Sequence, residues 1–493
     1  MNSLTLPCCA LLSLCISSLE ISAQELVGQS PEGVKVQDVI KTITEDECYD
    51  HVQFLAHKDN MGRGTLTIGF DLAAEYVERH LKEYGLTPAG EDGSYRLPVD
   101  YSCITAGQDS LIAFDLNGVD IKEDVEGESG ILNQYVPVIG SVESSARGEA
   151  VFAGYAIDSR NDRWRDLDPS KIKGKIVFAF SREPKADNEK TKKFEGAKAT
   201  VHSSVATKAK AVADAGGLAL VVVPDPNLVS QSNIPMPQMV PFVDPTGNQP
   251  VSMTRRLGMP DIPVMSVSRD LASLLFDTDV EAYFEKIEKR YRPSLLSSDK
   301  EISVSVSFER ETVKGYNLGA LVKGDGSSDK VLILGAHLDH VGFDHFMDRS
   351  KLQVRPGADD NASGSASLLE VAEALAPYKP KHDILFLWFS GEELGLLGSR
   401  SYCESPLYPH DKTIAMLNMD MIGRGENILN IGGLWKLPNW SKFINKQHKK
   451  IKSRIKMDND QGRDLFARSD HYSFYQKDVT ALFFFEADLN KNK

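Results

Sequence analysis

The last third of this sequence gathers the residue types that hold metal ions and move protons. His337 stands in GAHLDH at the end of an apolar run, with Asp339 two positions further on. Strand alternation aims the two side chains the same way, so the carboxylate could hold the imidazole in the tautomer that binds metal. In PGADDNASG, Asp359, Asp360 and Asn361 lie between glycines ahead of a helical pattern. An Asx turn capping that helix explains part of this stretch, but two consecutive carboxylates exceed what a cap needs. SGEEL puts Glu392 and Glu393 after the strand DILFLWF and at the opening of a further helix, where the macrodipole favours acidic side chains. Asp420 closes the apolar run of LNMDMIG, a costly place for an unpaired charge. Ser469-Asp470-His471 precedes another apolar run, VTALFFF.

Singly, each has an ordinary structural use, as a core histidine, a cap or an acidic first turn. Together they place two imidazoles and several carboxylates at successive strand ends of one sheet. Two metal ions with three protein ligands each need six bonds, whereas His337, Asp360, Glu393, Asp420 and His471 are five residues, so one carboxylate must bridge. Imidazole and carboxylate donors without thiolate suit zinc, with manganese or cobalt as substitutes.

The elements that must position these groups are readable from Lys314 onward, where YNLGALVKG, KVLILGAH, DILFLWFS, IAMLNMDMIG and VTALFFF alternate with helical patterns such as SGSASLLEVAEALAPY. Strands so uniformly apolar are covered on both faces, which makes the fold class α/β. Ligands of such sheets bind beyond the carboxyl ends of the strands, where the candidate residues fall.

A chain of 493 residues with 41% hydrophobic content exceeds one ordinary domain. Met1 to about Ala23 holds the apolar run LTLPCCALLSLCISSL and an Ile-Ser-Ala ending, which reads as a secretory signal at 1–23 and a secreted or periplasmic protein. Leu14 before Cys15 makes a lipoprotein anchor the weaker reading, and the run is too short and interrupted for a membrane span. Residues 24–134 include GFDLAAEYVERHLKEYGLTPAG, an amphipathic helix stopped at Gly85. Residues 135–290 change character: EAVFAGYAI, GKIVFAF, LALVVV and IPVMSVS, separated by polar, Gly-rich and Pro-rich stretches, predict a strand-rich insert, with a long loop between Asp225 and Pro263. Residues 291–493 carry the candidate ligands. Basic residues cluster in 190–210 and 442–456, the second at helical spacing, and read as solvated faces. With 56 basic against 70 acidic residues, the net charge of -14 argues against a nucleic-acid or anionic-membrane partner. Past the signal, Cys48, Cys103 and Cys403 form neither a disulfide framework nor a thiolate zinc site.

The motifs GAHLDHVG, PGADDNASG, SGEELGLLGS, NMDMIG and RSDHYSF, in that order and spacing, resemble the co-catalytic zinc aminopeptidase family, which includes secreted bacterial leucyl aminopeptidases and the glutamate carboxypeptidase and transferrin-receptor ectodomains. The likeness covers about 40–130 and 312–485, and the insert resembles a protease-associated domain. It implies a three-layer zinc-peptidase fold with a mixed central sheet flanked by helices. It also implies that Asp360 bridges two Zn2+ ions, that Glu393 and His471 complete one site and His337 and Asp420 the other, and that Glu392 shuttles the proton. A non-proline cis bond between Asp360 and Asn361 is expected on the same ground. After VTALFFF the family usually continues with a Gly, His and Asp-Tyr-His bearing loop and a closing helix, whereas EADLNKNK stands here, so part of the usual substrate pocket is expected to be absent.

The implied activity is removal of amino acids from peptides with a free N-terminus: the metals activate a shared water and polarise the scissile carbonyl, and Glu392 carries the proton to the leaving amine. A carboxypeptidase of the glutamate-releasing kind would need arginines around the substrate carboxylate, for which Arg349, Arg355, Arg424 and Arg463 are available. A non-catalytic receptor-like ectodomain fits less well because the ligand set is retained, and a one-metal glutaminyl cyclase for the same reason.

Overall fold

The computed structural model describes residues 39–107, 109–114, 135–138, 140–184, 194, 200–226, 259–344, 353–424, 428–451, 455–458 and 463–486. The expected signal at 1–23, most of the stretch between Asp225 and Pro263, and residues 487–493 lie outside them. Among the described residues, no helix is long and apolar enough to cross a membrane.

The runs expected to be strands build a 9-stranded mixed sheet. Its strands are β1 (Thr87–Pro88), β2 (Arg96–Ala106), β3 (Phe308–Val322), β4 (Val331–His337), β5 (Asp383–Phe389), β6 (Thr413–Met419), β7 (Ile428–Gly432), β8 (Lys456–Asp458) and β9 (Ala481–Glu486). The spatial order is β1-β3-β5-β4-β6-β9-β7-β8, with β2 paired to β3. The strands β5, β4, β6 and β9 run parallel. They are flanked by antiparallel β3 on one side and β7 on the other.

Burial of both faces follows from the side-chain period of two. Leu332, Leu334 and Ala336 of β4 point into a core shared with helices α1 (Glu45–Leu55), α2 (Ile68–Glu83) and α3 (Gly364–Leu375). Val331 and Ile333 point the other way, into a core completed by Tyr402 and Cys403 of α4 (Leu397–Glu404) and by Phe474, in a short helix after Asp470. Helices on both faces of the sheet make three layers, as expected. Helix α2 spans the predicted amphipathic segment, burying Phe70, Ala73, Val77 and Leu81, and ends just before Gly85, whose φ is +74°. The basic stretch around 442–456 contributes the helix α5 (Pro438–Ile451), and the helix holding Phe474 is α6 (His471–Tyr475).

A second, 7-stranded sheet takes in Leu111–Phe114, Tyr135–Pro137, Ser144–Phe152, Ile176–Phe180, Ala219–Val223, Val264–Val267 and Leu296–Val306. It therefore reaches beyond 135–290 on both sides. The four predicted strands are present, and helices join them on both faces of the sheet. Helix Val205–Asp214 covers one face through Val205, Ala209 and Val212. Helices Arg269–Phe276 and Val280–Arg290 cover the other through Leu271, Leu275, Phe284 and Ile287. These apolar residues recur at helical spacing, a signal masked by the shorter, denser strand runs.

Candidate functional site

The parallel strands put the candidate residues at their carboxyl ends. His337 is the last residue of β4, Glu392 and Glu393 follow β5, and Asp420 follows β6. The chain leaves β4 for β5 on one side, then crosses to β6 on the other, so β4 and β6 border the point where strand order reverses, the usual place for a ligand crevice.

His337 is fully buried, and its Nδ1 lies 3.0 Å from the backbone oxygen of Asp339. Donation to that carbonyl leaves Nε2 as the lone-pair nitrogen, facing Asp360 Oδ1 at 3.3 Å and Asp420 Oδ1 at 3.4 Å. Neither His337 Nε2 nor Asp420 Oδ1 has a hydrogen-bond partner. Two donors on one tetrahedral zinc, each about 2.0–2.1 Å from it, lie roughly 3.3–3.4 Å apart. His337 Nε2 thus lies at the separation of a shared ligand from each of the two carboxylate oxygens, and these donors fit a metal ion. Asp420 is aimed by Ser469, whose hydroxyl donates to Oδ2 at 2.7 Å and accepts from Asn418 Nδ2 at 2.7 Å.

The role expected of the Asp339 carboxylate needs correction. Its Oδ1 is 3.7 Å from His337 Nδ1, beyond hydrogen-bond reach, and accepts instead from the Glu392 backbone N–H at 3.2 Å, while its Oδ2 accepts from the Thr65 hydroxyl at 2.7 Å. Asp339 therefore orients the imidazole through its backbone and the Glu392 turn through its side chain.

The glutamates do not open a helix. Gly391, Gly395 and Leu396 all have positive φ, and α4 starts only at Leu397, so Glu392 and Glu393 sit in a tight turn. The turn sends the two carboxylates to different neighbours. Glu392 lies with His337 and Asp420, and Glu393 lies with Asp360 and His340, the candidate donor atoms of each group falling within 4.8 Å of one another. Burial pushes the Glu392 carboxyl well above its usual range against the pull of His337, while Asp420, Asp470 and Glu393 push it further up. Burial also acts against charge on Asp360, but His337, His340 and Arg63 hold it below the usual value.

The consecutive aspartates divide their work. Asp359 accepts from the Gly423 backbone at 2.9 Å and from Arg424 Nε at 2.7 Å, tying the loop after β6 in place. Asp360 turns toward the histidines, and the peptide bond that follows it is cis, as expected. Asn361 then donates to the Met419 carbonyl and accepts from the Gly364 N–H, both at 2.9 Å.

His471 is not brought to this cluster. Its ring stacks on Phe483 at 4.7 Å with an interplanar angle of 9° and meets the edge of Phe466 at 4.8 Å. It opens α6 and is fully buried among aromatic side chains; both ring nitrogens are without a hydrogen-bond partner, but the packing of that helix on β9 holds them away from both donor groups. Two residues passed over in the sequence do belong here. His340, in the same GAHLDH motif, lies 2.7 Å from Glu393 through Nδ1. Arg63 is fully buried and donates to the carbonyls of Leu55, Leu338, Pro356 and Gly357, joining the strand end of His337 to the turn of Asp360. Burial lowers its pKa to about 10 although Asp339, Asp360 and Glu393 face it, so it stays cationic at neutral pH. The spacing of His337 and His340 was a readable signal, whereas nothing local marks Arg63.

A three-layer α/β domain with imidazole and carboxylate donors at the ends of parallel strands is the class that fold and site define. Residues 317–493 match the model of peptidase family M28. Among known sequences, it is 32% identical over 175 residues to the "Probable leucine aminopeptidase" of Arthroderma otae, covering 34% of this chain and 46% of that protein. It is 37% identical over 126 residues to the aminopeptidase of Pseudomonas aeruginosa, covering 25% of this chain and 21% of that one. The matched stretch spans less than half the length of either relative. BSAP, a zinc aminopeptidase from Bacillus subtilis, shares the fold: TM-score 0.50 and 17% identity, covering 91% of this chain and 86% of that chain.

Proposed function

We propose that this chain is a two-metal exopeptidase that removes N-terminal amino acids from peptides, with Glu392 as its acid/base. The observation that carries the reading is the shared position of Asp360 between two donor groups in the stretch that matches family M28, His337 and Asp420 on one side and Glu393 on the other. Zinc is the favoured ion, from the donor chemistry and from the zinc aminopeptidase that shares the fold. When bound, such ions lend Lewis acidity to the scissile carbonyl and to the attacking water.

The chain's own residues do the rest. Glu392 takes the water proton and delivers it to the leaving amine, a role suited to a buried carboxyl whose proton affinity is raised. Asp339 holds the Glu392 backbone and the His337 ring in one register. Asp360 is the most open of these donors, its side chain 36% exposed, and substrate enters on its side. The aminopeptidase names of the relatives support attack at the N-terminus, and the apolar run near Met1 supports work outside the cytoplasm.

The test is a panel of free and N-acetylated aminoacyl nitroanilides with zinc-loaded protein. Cleavage of free substrates alone is expected, with Glu392→Gln reducing the rate about 10²- to 10⁴-fold while metal content is unchanged. Cleavage of acetylated substrates, or only of peptides with a free C-terminal glutamate, would sink the aminopeptidase reading.

A further inference from the structure

We propose that His340, and not His471, is the imidazole ligand of the second metal ion; this rests on the two-metal reading above. The ring lies on the Glu393 side of Asp360, with Nδ1 2.7 Å from Glu393 Oε1 and 4.0 Å from Asp360 Oδ1. These distances straddle the roughly 3.3 Å separation of two ligands on one tetrahedral zinc. A small swing of the ring from Glu393 toward Asp360 equalises them. The three candidate donor atoms lie within 4.8 Å of one another.

The ring is held there rather than passing through. Its side chain is 11% exposed, and the His340 backbone N–H donates to the Arg63 carbonyl at 3.1 Å. Gly357 packs against it so closely that a Cβ at that position would fall 2.5 Å from ring atoms Cγ and Cδ2. His471, in contrast, stacks on Phe483 and joins neither donor group. With His340, each ion would have three protein ligands from five residues: His340, Glu393 and Asp360 for the second, and for the first His337 with Asp420 and Asp360, the two carboxylates that face its Nε2. The second ion would then be held by residues within 54 positions of each other, drawn from the turns after β4 and β5 and the Asp360 turn.

The experiment uses the full chain, stripped of metal and titrated with Zn2+ by calorimetry, with bound metal counted after dialysis. A parallel Co2+-loaded sample is read by proton NMR for shifted, exchangeable imidazole N–H resonances. The wild-type chain is expected to bind two equivalents and show two such resonances. His340→Gln should lose one equivalent and one resonance, and His471→Phe, which keeps the aromatic stack, should lose neither. Two equivalents in His340→Gln, or one in His471→Phe, would overturn the assignment. The wild-type resonance count and the His471→Phe result stand even if His340→Gln does not fold. A wild-type chain that binds a single equivalent would instead defeat the two-metal reading itself.

Discussion

At the scale of single residues, the candidate centre depends on groups outside its donor set. Arg63 is the clearest, because one guanidinium satisfies carbonyls from three separate segments. Replacing it with Met removes the donors but leaves the carbonyls buried, and each hydrogen bond to a charged group is worth about 1.5–3 kcal/mol. Arg63→Met should therefore lower the stability of the metal-free protein by at least about 3 kcal/mol, read from urea denaturation, and weaken zinc binding as the His337 and Asp360 segments drift apart. A loss under about 1 kcal/mol would show that water replaces the guanidinium. Asp339 acts similarly: Asp339→Asn keeps the backbone contact to His337 but weakens the carboxylate's hold on Glu392, so kcat should fall while metal content stays the same.

At the scale of elements, the turn into α3 is built so tightly that a normally helix-favouring change should harm it. A Cβ at Gly364 would fall 2.3 Å from Asn361 Oδ1 and 2.4 Å from the Met419 carbonyl, the two groups that lock the Asp360 turn to the end of β6. Gly364→Ala should destabilise the protein and reduce zinc affinity together; raised melting temperature with full affinity would contradict the packing described. Helix α2 carries a pH dependence of its own. Burial and the neighbouring His51 lower the His80 pKa to about 4, against about 6.5 in the unfolded chain. The unfolded state then binds more protons below pH 6.5, so this contribution is present above that value and is lost as pH falls toward 4. His80→Gln should accordingly flatten the fall in melting temperature of the metal-free protein across that window.

At the scale of the whole molecule, the metal-free domain holds more buried acid than it can balance. Burial raises Glu392 well above its usual range and Asp470 to about 7, despite the attraction of His337, and Asp420 adds to both shifts. A metal ion bound at this centre would supply the missing positive charge to the native state alone. Zinc should stabilise the protein by about 2.7 kcal/mol at a hundred times its dissociation constant, and chelation should lower the melting temperature. An unchanged melting curve after chelation, with metal loss verified, would mean the donors are balanced without it. The second sheet should report differently, since its cores around Phe152, Phe178 and Val177 lie in separate clusters from the one around Leu334. A thermal scan that resolves two transitions, with only one shifted by zinc, is the expected result.

Much of this was legible in the chain before folding. The runs VLILGAH, DILFLWF and ALFFFE are apolar at every second position in both phases, so burial on two faces and an α/β sheet follow locally. His337, Asp360, Glu393 and Asp420 stand at the ends of such runs or just beyond a turn, where parallel strands must deliver them. What sequence could not decide was which neighbours these groups meet. His471 and His340 are chemically the same, and only the packing of α6 on β9 sends one ring to Phe483 while the turn after β4 sends the other to Glu393. The Glu392 turn reads as a helix start until the positive φ of Gly391, Gly395 and Leu396 is seen. Arg63 meets Leu338 and Gly357 across 275 and 294 residues. Residue type and periodicity are properties of a local stretch, but contacts across such separations exist only once layers pack, and no spacing along the chain encodes them.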